Sequence, residues 1–487
     1  AGGRHMVKRS HKTSAAAVIL VALASSACGG VDSGSISESE SVAQPLPPPI
    51  DVRRTLVVTD QPILDRFPLS RVLDQLIAQS GQPGLSRLAL FQQWWDTQNP
   101  GPGLGLGAHC DDTVDPELGS TLNGYPYLCR PAPSEGAQAS CDPFTSPETS
   151  PCAYIPIGLF NRFDLAPEDG ANCGEYRIVY AKRSGLASTT DRNLIIFEAV
   201  MPNPLPQAGV EGCRTIATTW NNLTDKNQID KRADDLEKFY FEGSGAVPPV
   251  VSIEHYGDNA AGAGQVRTNQ FALTTTGWSL REFKLLRSGG TKFVPVSDKN
   301  NAFGPLFDPA STHAQAAAFR SFFPSQVASL AGPTIASIDI GVDDVFNTGQ
   351  SQASGVTAAE MRYLERLGPL PSALRTDIQT QLTLLGSALS PDSIALRAQA
   401  NSCAGCHRLN NGIDIGGGLV WPASQGFTHV SERDTEVVGG VTRFRISDAL
   451  INVFLPHRQQ VFENYMNHGP NPGRGPHVPL GGRRSHG

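Results

Sequence analysis

Methionine is scarce in this chain: four in 487 residues, at positions 6, 201, 361 and 466. Charged side chains make up only 17% of it. After residue 28 no apolar run reaches membrane-spanning length, which excludes a multi-span helical membrane protein. No G-x-S-x-G, H-E-x-x-H or Walker pattern occurs, so three familiar hydrolase and nucleotide sites leave no signature. No repeat of 20–50 residues is visible, which argues against a solenoid or propeller. The formal net charge is −7, and that sign argues against nucleic acid as a partner.

The residues present suggest export. Met6-Val7-Lys8-Arg9-Ser10-His11-Lys12 is a basic opening, and the expected translation start is Met6. Residues 15–24 are apolar, and Leu23-Ala24-Ser25-Ser26-Ala27-Cys28 closes the stretch with small residues before a cysteine. That order is a secretory signal, too short to span a bilayer. It resembles the lipobox of bacterial lipoproteins, although Ser25 stands where an aliphatic residue is usual. The resemblance implies cleavage after residue 27, a lipid on Cys28, and a protein anchored at the periplasmic face or outer membrane of a bacterium. Loss of residues 1–27 removes Arg4, Lys8, Arg9 and Lys12, leaving 35 basic against 46 acidic side chains, or −11.

Nine cysteines are present: 28, 110, 129, 141, 152, 173, 213, 403 and 406. Six fall between 110 and 213, and an even cluster in an exported chain is expected to form disulfides. A zinc site is the rival, but the cluster lacks ligand pairs at zinc spacing. Six thiols allow fifteen pairings, among which sequence does not choose. Neighbour pairing (110–129, 141–152, 173–213) is the working expectation.

Length favours more than one domain. Residues 28–50, rich in Gly, Ser, Glu and Pro, read as a tether spanning on the order of 25 Å as a coil. Residues 51–356 read as an α+β domain with an antiparallel sheet. Helices are expected over 68–79 and 88–95, where apolar residues recur at helical spacing. Strands are expected at 176–180, 194–197, 250–253, 265–273 and 278–286, from β-branched and aromatic runs bounded by turn residues. Residues 357–389 read as a helical connector, opened by the capping box Thr357-Ala358-Ala359-Glu360. Residues 390–469 follow, with a helix start at Ser390-Pro391-Asp392 and a last helix over 456–467. Residues 470–487 are expected to be a disordered tail.

Within 390–469 stands Cys403-Ala404-Gly405-Cys406-His407, the C-x-x-C-H pattern of covalent haem attachment. Two thiols two residues apart can reach one porphyrin edge as thioethers, and the adjacent histidine falls beneath the ring. The segment resembles a monohaem c-type cytochrome domain, a small all-α fold with the motif on its first helix. That resemblance implies one covalent haem c on Cys403 and Cys406, with His407 as the proximal iron ligand. The family usually supplies a methionine before its last helix, and none stands there. His457 opens that helix and is the expected sixth ligand; His429, Met466 and an open position are the alternatives. Gly416-Gly417-Gly418 lets backbone pass close to a flat ligand, although a plain loop is the commoner use of such a run.

The implied function is electron carriage on a lipid-tethered exported protein, with an unspecified redox partner. The alternative is a haem enzyme of peroxidase or oxygenase type with an open iron site. Residues 447–454 are faintly similar to a segment of dihaem bacterial peroxidases, but those carry two such motifs and this chain has one. A surface protein that uses haem only for stability is a third possibility.

Overall fold

A computed structural model describes residues 49–96, 114–116, 119–127, 141–271, 277–354 and 360–467. The lipobox-like segment with Cys28, Cys110, Cys129, Thr357 and the tail lie outside the described residues.

Among the described residues, eight strands form one antiparallel sheet. They are β1 (Val57–Val58), β2 (Tyr154–Arg162), β3 (Asn172–Lys182), β4 (Asn193–Pro202), β5 (Gln265–Phe271), β6 (Trp278–Leu286), β7 (Lys292–Val296) and β8 (Ser351–Gln352). The first seven follow one another across the sheet, and β8 pairs with β6 beside β7. Pleating sends alternate residues to opposite faces. Tyr176, Ile178, Tyr180 and Phe197 take one face, under a helical layer. That layer is α1 (Leu69–Ser80), α2 (Arg87–Asp96), α3 (Arg214–Asn221) and α4 (Ile229–Phe241). Trp94 stacks on Phe293 at 4.2 Å and meets Phe197 edge-on, while Tyr176 packs on Trp220 and Phe239. Both faces of the sheet are covered, which explains why Leu194-Ile195-Ile196-Phe197 reads as an unbroken apolar run rather than an alternation.

The expected strand at 250–253 is not a strand. Val250 and Val251 donate to the Phe239 and Tyr240 carbonyls at the end of α4 and plug the core beneath it. Among the described residues two disulfides join Cys141 to Cys152 and Cys173 to Cys213, as neighbour pairing expects.

The other sheet face carries the C-terminal part of the chain. Here α5 (Tyr363–Leu367), α6 (Ala373–Leu384) and α7 (Pro391–Ala400) precede a hairpin, β9 (Val430–Val438) and β10 (Val441–Ile446), and then α8 (Leu455–Asn467). Ser390 caps α7 by accepting from Ser393 N. The segment expected as a connector is itself part of the core. The buried Tyr363 donates from its amide to Gln399 and from its hydroxyl to the Ala302 carbonyl, which fastens α5 to its neighbours. The expectation of a separate all-α body over 390–469 is corrected in two respects. The described residues form one compact unit, and 430–446 is a β-hairpin. The hairpin turns at Gly439-Gly440, both at positive φ (60° and 80°), as a two-residue turn matched to strand twist requires. The physical cause of the merger is that this segment buries its apolar side against the large sheet instead of within itself.

Candidate functional site

Cys403 and Cys406 lie on a helical turn directly after α7. The turn widens over Gly405–Leu409, where Asn410 N reaches back to the Gly405 carbonyl at 3.1 Å. Wide turns of this kind are frequent at functional sites. Gly405 is obligatory, since a Cβ there would stand 1.7 Å from the Gln399 carbonyl oxygen. The turn is tied to the sheet by Ala404 N, which donates to Ser351 Oγ on β8 (2.9 Å).

Between this turn, the start of the hairpin and the sheet lies a narrow cavity, part of it open to solvent. Cys403, Cys406, His407 and His429 line one side. The opposite wall is the sheet face that the helices do not cover, and strand register orders it. Leu194, Asn269 and Leu280 form one cross-strand row, and Val179, Ile196 and Arg267 form the next, continued by Glu282. Arg177 and Glu198 make the third. The wall thus grades from apolar to charged. At the charged end Arg177 and Arg267 both pair with Glu198 (3.2 Å each), and Arg267 pairs with Glu282 (2.9 Å). Burial opposes the charge on Glu198, but the two guanidiniums outweigh it and hold its pKa below the usual value.

The two histidines are oriented alike. His407 Nδ1 donates to the Phe427 carbonyl (2.8 Å), so its Nε2 carries the lone pair. Trp278 stacks on the same ring at 5.3 Å. Burial pulls His407 down to about 4, partly opposed by the Phe427 bond, leaving a neutral imidazole. His429, buried, has Nδ1 2.9 Å from Ser447 Oγ and Nε2 3.6 Å from Cys406 Sγ. The two ring centroids are 5.0 Å apart.

His457 is not brought to this cavity. It sits half-buried on α8, beside the buried cluster Arg162–Asp164–Arg458. Met466 contacts Arg214 at 3.8 Å and does not line the cavity either. Gly416 serves a different role from the one its run suggests: its carbonyl accepts from Arg397 (2.9 Å), and none of the three glycines lines the cavity.

Burial raises both thiols, Cys406 to about 12 and Cys403 further. Such sulfurs are poor nucleophiles and poor thiolate ligands, whereas a thioether, which carries no charge, loses nothing by burial. Among the described residues no group of three or more His, Cys, Asp or Glu side chains could hold a bare metal ion. A macrocyclic metal needs at most two axial protein ligands, and His407 and His429 match that need. The residues therefore fit a haem: two sulfurs at its edge, two imidazoles and an apolar floor. The rings stand close together in this structure, so holding the group between them would require them to part.

The buried charges were the least visible parts in sequence, whereas His429 stood among the alternative ligands. The available signal was charge inside apolar strand runs: Arg177 in Tyr-Arg-Ile-Val-Tyr, Glu198 after Ile-Ile-Phe. No protein-family model, curated protein or solved structure matches the chain. Among the described residues no helix is long and apolar enough to cross a membrane.

Proposed function

We propose that this is an exported electron carrier with one covalent haem c, held by thioethers at Cys403 and Cys406. His407 would be the proximal iron ligand and His429, in place of His457, the distal one. The observation that carries the reading is the convergence of two imidazoles, each held at Nδ1, on a cavity that both thiols line. When bound, the group supplies a one-electron centre whose potential is set by its axial ligands and surroundings.

The chain's own residues orient and enclose it. Phe427 and Ser447 fix the imidazole planes, and Trp278 packs against His407. Leu194, Ile196 and Leu280 exclude water from one end, while Arg177 and Arg267, held by Glu198 and Glu282, close the other. The net charge of −11 expected of the mature chain permits docking to a basic redox partner, and the lipobox-like N-terminus supports lipid anchoring.

A second reading, a haem enzyme with an open iron site, is favoured by the 5.0 Å gap between the rings, if His429 stays off the iron as a base. Absorption spectra of the matured protein, with and without carbon monoxide, separate the two. The carrier reading expects low-spin wild type, high-spin carbon-monoxide-reactive His429→Ala, and unchanged His457→Ala. A high-spin wild type that binds carbon monoxide would favour the enzyme. A low-spin His429→Ala would place the ligand elsewhere.

A further inference from the structure

Behind Cys403, outside the cavity, lies a pocket of buried polar side chains that the haem reading does not use. Asp298 is its centre. Its carboxyl is fully buried, and neither oxygen accepts a hydrogen bond of good geometry, although the Glu282 backbone lies close enough to act on it weakly. Ser279 Oγ, Asn301 Oδ1, Gln350 Nε2 and both polar atoms of the Gln352 amide are likewise buried without a hydrogen-bond partner. The pocket is contiguous with the haem motif. Asp298 N donates to the Thr348 carbonyl (2.8 Å), and Asn301 donates to Thr348 Oγ1 (2.9 Å). From Thr348 the chain runs through Gly349 and Gln350 into β8, whose Ser351 holds Ala404.

We propose that Asp298 is a redox-linked proton acceptor for the centre carried on Cys403. The inference rests on the haem reading. A buried carboxyl without donors holds a negative charge poorly, and its charge balance then depends on its neighbours. The charged groups facing it are Glu282 and Arg281 from β6 and Arg267 from β5, with the uncharged Cys403 sulfur nearby; Lys299 follows it in the chain. Burial, reinforced by Glu282 and only partly offset by Arg267 and Arg281, lifts its pKa well above the usual carboxylate range. Asp298 and Cys403 act on each other electrostatically, so a change of charge at a centre bonded to Cys403 is felt at Asp298 through a low-dielectric interior. When an external one-electron donor reduces the centre, the Asp298 carboxylate takes one proton from solvent and becomes the neutral acid. On reoxidation it returns that proton.

The test is the midpoint potential of the matured protein between pH 5 and 9, for wild type and Asp298→Asn, which keeps the shape and removes the proton site. Wild type should lose about 59 mV for each tenfold fall in proton activity across part of that range. Asp298→Asn should be flat there, with an unchanged haem spectrum. A carbonyl-stretch band of a protonated carboxyl should appear on reduction in the infrared difference spectrum of wild type and be missing from the variant. A flat wild type, or a slope and band that persist in Asp298→Asn, overturns the assignment while leaving the haem reading intact. Absence of covalent haem overturns both.

Discussion

The hairpin strand that follows His429 is pinned to the sheet by one buried ion pair, and removing its acid should be costly. Arg192 Nε and Nη2 donate to the two Glu432 oxygens at 2.6 and 2.8 Å, and Nη1 donates to the Gly426 carbonyl at 3.0 Å. Side-chain exposure is 7% for Arg192 and 0% for Glu432, so solvent screens the pair little. Glu432→Ala leaves the guanidinium buried without the carboxylate that answers two of its donors. Breaking a buried pair from one side costs about 3–5 kcal/mol, a hundredfold or more in the unfolding equilibrium at about 1.4 kcal/mol per tenfold. Chemical denaturation at neutral pH with disulfides intact measures it, as a shift in midpoint. Because the same arginine holds Gly426, next to the carbonyl that orients His407, a mixture of spin states should appear in the matured variant. Replacing both partners, Arg192→Leu with Glu432→Leu, should recover much of the stability, since no charge is then stranded. A single-variant loss under about 1 kcal/mol, the range of exposed pairs, would refute the reasoning.

Two further outcomes are expected. Opening the Cys173–Cys213 disulfide by a double Cys→Ser change frees a loop with a sequence separation of 40, which chain entropy values at about 4 kcal/mol; thermal unfolding should show a lower midpoint, and an unchanged midpoint would contradict it. Burial would raise Asp164, but Arg162 and Arg458 outweigh it and hold the carboxyl far below the usual range. A depressed carboxyl contributes stability above its unfolded value, near 4, that is lost as pH falls through and below it. Acid titration of wild type against Asp164→Asn should therefore converge below about pH 4, and parallel curves down to pH 2 would contradict the assignment.

Much of the framework was legible in the chain. Pro68 and the Leu69–Val72–Leu73–Leu76 spacing mark α1, Ser390-Pro391 marks the start of α7, and the β6 run from Trp278 to Leu286 matches its strand end to end. These are local signals, and local chemistry decides them. The hairpin had a usable signal in Val437-Val438-Gly439-Gly440-Val441, a two-glycine turn between apolar residues. What sequence did not disclose is non-local. Covering a sheet on both faces depends on which segment docks there, and 403–446 docks there through Arg192, Ser351 and Thr59, each distant in the chain. The site shows the same division. Cys403, Cys406 and His407 are adjacent and readable, whereas His429 reaches them only after an irregular excursion that ends at the hairpin. His457 is expected as a ligand because it opens the last helix, and the packing of α8 on Phe163 carries it toward Asp164 instead.

The central claim is that Cys403 and Cys406 carry a haem by covalent bonds, and the most direct measurement is a pyridine haemochrome assay with intact mass on protein matured in a host that attaches c-type haem. The account predicts one haem per chain, colour that survives acid-acetone extraction, and loss of both when Cys403 and Cys406 are replaced by alanine. Extractable haem, or a chain of unmodified mass from a host competent for maturation, would contradict it.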